Sequence, residues 1–135
     1  MGRATVRDAT PHAIADFWLT PVEATHALAE AYGVDVVFVW QPAIIFKDTL
    51  SESEQAIYQR TENERPGLFA LYGEVDAIVR ERIANQQTDV PIVILSDLFT
   101  EESTPIFHDL VHITEIGNER VAQALIEHVD LLLED

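Results

Sequence analysis

The chain has no cysteine, a single lysine and no long apolar run. Without cysteine there is no disulfide, no thiolate metal ligand and no cysteine nucleophile. The longest uninterrupted apolar run, residues 36–40, is strand-sized. It falls far short of the roughly 20 apolar residues that a helix needs to cross a bilayer. Bases are scarce, with 8 Lys and Arg against 24 Asp and Glu and a net charge of −16. Such a surface repels phosphate backbones and anionic membrane faces, so neither nucleic acid nor a lipid surface is an expected partner. An acid excess of this size suits a salt-rich source, where counterions screen the self-repulsion. The first 20 residues include Arg3, Arg7, Asp8 and Asp16 and have no apolar centre, so no signal peptide is expected and the cytoplasm is the default compartment.

What remains suits one α/β domain of 135 residues with a real core. Residues 1–19 show only a Thr10-Pro11 turn signal, with Ile14, Phe17 and Trp18 at helical spacing, and are expected to form a poorly defined N-terminal segment. Thr20-Pro21-Val22-Glu23 reads as a capping box with proline at the first helical position. The helix it opens carries Val22, Thr25, Leu28, Ala29 and Tyr32 on one face and closes at Gly33; His26 reads as a helix-surface residue. Residues 34–40 (VDVVFVW) fit a buried parallel strand that Gln41-Pro42 ends. Ile44, Ile45 and Phe46 follow in a loop, expected to be buried beneath the next helix. Ser51-Glu52-Ser53-Glu54 is a second capping box. Glu62, Glu64 and Arg65 read as a solvated turn before the breaker Pro66-Gly67. A third helix is expected from Leu68 to Asn85, with Leu68, Leu71, Val75, Ile78, Val79 and Ile83 as its apolar stripe.

Residues 90–95 (VPIVIL) are the second strand, and a right-handed parallel crossover is expected between the two. In open α/β sheets, ligands sit beyond the carboxyl ends of strands. That makes Gln41 and Ser96 candidate substrate-binding residues. The last helix is expected from Thr114, with Val121, Ala122, Leu125, Ile126, Val129 and Leu133 facing inward. Gly117 in its first turn lowers helix propensity, which makes sense if another part of the chain passes close by.

The stretch 107–118 (FHDLVHITEIGN) holds two of the five histidines and supports three readings. In the first, Asp109 orients His112, which serves as a general base with one ring nitrogen free. In the second, His108-Asp109-Leu110-Val111-His112 is a variant of the zincin H-E-x-x-H motif. His108 and His112 would then bind zinc from one helical face, with Glu115, Glu119 or Glu127 as a third ligand. In the third, Asp109 caps a turn, His112 is structural and the chain is an acidic α/β interaction module.

The longer string Asp109-x-x-His112-x-Thr114-x-x-Gly117-Asn118-x-x-x-Ala122, set before a C-terminal amphipathic helix, resembles the last conserved block of SGNH (GDSL-type) esterases and lipases. The order of strands and helices over roughly residues 20–130 resembles the second half of that flavodoxin-like three-layer α/β/α domain. The resemblance implies His112 as general base, Asp109 as its partner, His108 at the pocket rim and a small-molecule ester as substrate, with no cofactor or metal. The family's Gly-Asp-Ser nucleophile block, its oxyanion glycine and its Gly-x-Asn-Asp block do not occur here. Only Ser51, Ser53, Ser96 and Ser103 are present as serines. The expectation is therefore a single partial domain, residues 1–135, that lacks the N-terminal strands and is inactive alone. Its apolar sheet edge would be covered by the missing half or by self-association.

Overall fold

The computed structural model describes residues 9–133, with side chains through residue 129. The first eight residues of the expected N-terminal segment, and the Leu133 side chain, lie outside the described residues. The chain is of mixed α/β class, and its two strands run parallel. It divides into two compact units: Met1–Phe38 with Ala70–Pro91, and Val39–Phe69 with Ile92–Asp135.

The first unit contains helix α1, Pro11–Tyr32, and most of helix α3, Leu68–Ala84. Helix α1 does not wait for Thr20. Thr10 caps it, accepting the Ala13 N–H at 3.2 Å, and Pro11 occupies the first turn. The second Thr-Pro pair is overrun, so Pro21 lies inside the helix. A proline there removes one backbone bond, to the carbonyl of Phe17. Both residues are exposed, so water can serve that carbonyl. The start at Pro11 also resets the inner face. Ala15, Leu19 and Val22 are buried, and His26 and Ala29 continue the stripe half-buried. Leu28 and Tyr32, expected on that face, are 59% and 77% exposed. Gly33 ends the helix in the left-handed region, φ 64°, donating to the Ala29 and Glu30 carbonyls. In α3, Val75 and Val79 from the expected stripe are buried. Arg82 of α3 pairs with Asp16 of α1.

The second unit holds strand β1, Phe38–Trp40, except for its first residue, and strand β2, Ile92–Ile94. Both strands are shorter than the apolar runs that announce them. Pairing extends only as far as the bonds from the Phe38 N–H to the Pro91 carbonyl and from the Leu95 N–H to the Trp40 carbonyl. Residues 34–37 and Val90 have no place in the ladder, and β1 is half-buried instead of fully buried. A 3-10 turn, Ile44–Phe46, packs against helix α2, Glu52–Glu64, and Ile44 is fully buried. The core of this unit joins Ile44, Phe69, Phe99, Ile106 and Phe107. Tyr58 stacks on Phe69, and Phe99 meets Phe107 edge-to-face.

Helix α4, Glu115–Leu133, starts where Thr114 caps it, with the Gly117 N–H 3.3 Å from the Thr114 hydroxyl. Val121 and Leu125 are half-buried, whereas Ala122, Ile126 and Val129 face outward. The α4 stripe is thus narrower than its apolar residues suggest. Among the described residues no helix is long and apolar enough to cross a membrane.

Candidate active site

The site is built outward from a buried ion pair. Ser51 caps α2, and Glu54 returns the bond to the Ser51 N–H, so the capping box forms as its sequence requires. Glu54 does more than cap. It is fully buried and meets the Lys47 ammonium at 2.7 Å. Its other oxygen accepts the Ile106 and Phe107 N–H groups at 2.8 and 3.1 Å. Lys47 also donates to the Thr104 carbonyl at 2.8 Å. Burial would raise the Glu54 pKa, but Lys47 and the three backbone N–H groups outweigh it and hold the carboxyl down to about 2. The chain's one lysine and a helix-capping acid therefore anchor the segment leading into the 107–118 stretch.

From that anchor the chain closes a tight loop. Phe107 and Ile113 form an antiparallel bridge, His108 donates to the His112 carbonyl at 2.8 Å, and Thr114 donates to the Ile106 carbonyl at 2.7 Å. Gly117 shows why α4 begins without a side chain there. A Cβ at this position would lie 3.0 Å from both Ile106 Cγ2 and Ile113 Cβ. Alanine gains up to about 1 kcal/mol of helix propensity over glycine, but overpacking costs about 1–3 kcal/mol. Ile113 Cβ belongs to the bridged backbone and cannot swing away. Gly117→Ala is expected to lose about 1 kcal/mol net, read by urea denaturation.

Asp109 and His112 sit at the tip of this loop. Asp109 Oδ1 accepts the Val111 and His112 N–H groups at 3.0 and 2.8 Å, an Asx-type turn. Its Oδ2 lies 2.6 Å from His112 Nδ1. The two backbone N–H bonds and the imidazole hold the Asp109 carboxyl down to about 2. An ionised carboxylate only accepts hydrogen bonds, so Nδ1 carries a proton, and in the neutral form of such a ring the lone pair lies on Nε2. Nε2 has no hydrogen-bond partner among the described residues. The His112 side chain is 79% exposed, so its free nitrogen is open to a reactant.

Two clefts meet at His112. One, of about 470 Å³, is mostly apolar: Val39, Pro42, Val121 and Leu125 line it with Gln41 and Asn118. The other, of about 490 Å³, has Asp109 and His112 on one side and Arg60, Glu64 and Arg65 on the other. Gln41 thus shares a cleft with His112. Ser96 is 2% exposed, and His108 is exposed; neither lines either cleft. Ser51, Ser53 and Ser103 line neither. Residues 108–112 form the bridged loop, not a helix, so His108 and His112 lack the shared helical face that the zincin pattern needs. No cluster of three or more His, Asp or Glu suited to a metal ion occurs among the described residues.

No family model, curated protein or solved structure matches this chain. Three contributors escape a local reading of the sequence. Lys47 is an isolated base in a loop, while Arg60 and Arg65 flank what looks like a solvated turn. For the arginines the available signal is two cations near the carbonyl end of a helix in a strongly acidic chain.

Proposed function

We propose that this chain carries the acid and base of a Ser-His-Asp ester hydrolase of SGNH type, as part of a flavodoxin-like α/β/α domain. The observation that carries the reading is the 2.6 Å contact between Asp109 Oδ2 and His112 Nδ1, with Nε2 unpartnered at the junction of two clefts. In this reading Nε2 takes the proton of a serine hydroxyl as its oxygen bonds to the ester carbonyl carbon. The imidazolium then returns that proton to the departing alkoxide. A water molecule repeats the sequence on the acyl-enzyme and frees the acid. Asp109 holds the ring in the working tautomer and stabilises its cation.

The serine belongs to polypeptide outside this sequence, carrying a Gly-Asp-Ser block. The two-stranded sheet and the outward apolar residues of α4 suit a surface that such polypeptide, or a second copy, covers.

The test begins with the coding DNA upstream of the Met1 codon, searched in frame for Gly-Asp-Ser. The joined polypeptide is then assayed on p-nitrophenyl acetate. Hydrolysis is expected, and His112→Ala should lower kcat by roughly 10²–10⁴-fold. Full activity in His112→Ala would sink the proposal, as would the lack of any Gly-Asp-Ser polypeptide that restores turnover.

A further inference from the structure

The basic residues of this chain are few enough to follow one by one. Among the described residues they are Lys47, Arg60, Arg65, Arg80, Arg82 and Arg120. Lys47 pairs with Glu54, Arg80 with Asp76, Arg82 with Asp16 and Arg120 with Glu102. Arg60 and Arg65 make no ion pair and no side-chain hydrogen bond among the described residues. Acids outnumber bases 24 to 8, so an arginine without a carboxylate partner is one to which the fold has brought none. Both line the cleft of Asp109 and His112, and Glu64 in that cleft pairs with neither.

We infer that Arg60 and Arg65 form an oxyanion-binding subsite beside His112, so that the ester taken by the proposed hydrolase bears a carboxylate or phosphate group. The role of His112 in this statement rests on the esterase reading; the anion site does not. Arginine suits the task because its planar fork can give two parallel hydrogen bonds to either group. Arg65 is held in place by its own backbone: it caps α2, donating its N–H to the Thr61 carbonyl at 2.8 Å. The carbonyl end of α2 favours cations, by about 0.3–1 kcal/mol. That explains arginines near a helix end but not why two of them stay unpaired in one cleft. The net charge of −16 repels anions at long range, so any anion that binds needs a local cationic site.

The test titrates the protein with monomethyl succinate, monomethyl phosphate and neutral dimethyl succinate, following the Arg Nε–H and His112 ring signals by NMR. At least one monoanion is expected to bind about 10-fold or more tightly than the neutral diester and to shift the Arg60 and Arg65 signals. The Arg60→Gln/Arg65→Gln variant should lose that preference, while Arg120→Gln keeps it. Tighter binding of one monoanion assigns the group as carboxylate or phosphate. Equal affinity for neutral and anionic esters, or a double variant that binds anions like the parent, overturns the inference. Anion binding without hydrolysis by the joined polypeptide would refute the esterase reading alone. Equal hydrolysis of neutral and anionic esters would refute the subsite alone.

Discussion

Glu54→Gln is expected to destabilise the protein by about 3–5 kcal/mol, the range for breaking a buried ion pair by removing one partner. Glu54 is fully buried and accepts four hydrogen bonds, from Lys47 and from the Ser51, Ile106 and Phe107 N–H groups. The glutamine amide has one oxygen and one NH₂, so its nitrogen faces donors with donors. Lys47, whose side chain is also fully buried, loses its counter-charge. Lys47→Met should cost less, because the carboxylate keeps its three N–H partners. The double variant should cost less than the sum of the two, since no unpaired charge remains. Chemical denaturation of the four proteins measures all three quantities. Additive losses would show that the pair does not act as a unit.

The same carboxylate makes the difference depend on pH. Its folded pKa is about 2, against an ordinary value of 4.5. As pH falls the unfolded chain takes up the proton first, so the stabilisation is complete above about pH 5 and disappears toward pH 2. A shift of this size corresponds to about 3 kcal/mol. Protonating Asp109, also held at about 2, adds to the loss, whereas protonating acids that only crowd one another relieves charge repulsion and works in the opposite direction. Their effect is common to both proteins, so the gap between the parent and Glu54→Gln isolates Glu54. That gap should narrow steadily from pH 5 to pH 2; a gap that stayed constant would contradict the assignment.

Ile106→Ala is expected to cost about 2–5 kcal/mol, as for other large-to-small changes in a packed core. Ile106 is fully buried in the cluster of Ile44, Phe69, Phe99 and Phe107. Its N–H is bound by Glu54 and its carbonyl by Thr114, so the backbone cannot collapse to fill the space. The substitution also removes one of the two atoms that crowd Gly117. Gly117→Ala should therefore cost less in the Ile106→Ala background than in the parent. Equal costs in both would mean that Ile113 alone sets the limit.

These effects separate what was readable locally from what was not. Asp109 and His112 could be paired from the sequence because they lie three residues apart in one turn, within reach of each other whatever the rest of the chain does. The Ser51–Glu54 box and the Thr114 cap are local in the same way. The start of α1 was not readable. Thr10-Pro11 reads as a turn and only Thr20-Pro21 is followed by a capping glutamate, yet the helix starts at the first pair and runs through the second. The strands were legible as parallel apolar runs, but their lengths depend on where a partner strand stops.

The sequence by itself determined the mixed α/β class, the acidic surface, the helices that announce their own caps and the Asp109–His112 turn. Each of these depends on composition or on contacts within a few residues. Tertiary structure alone decided that Glu54 reaches Ile106 and Phe107, that Gly117 makes room for Ile106, and that Arg60 and Arg65 share a cleft with His112. Those contacts join residues from 11 to more than 50 positions apart, and no preference within a single turn specifies them. Packing selects them, because a buried charge needs every available partner and a close-packed core leaves no room for a misplaced methyl group.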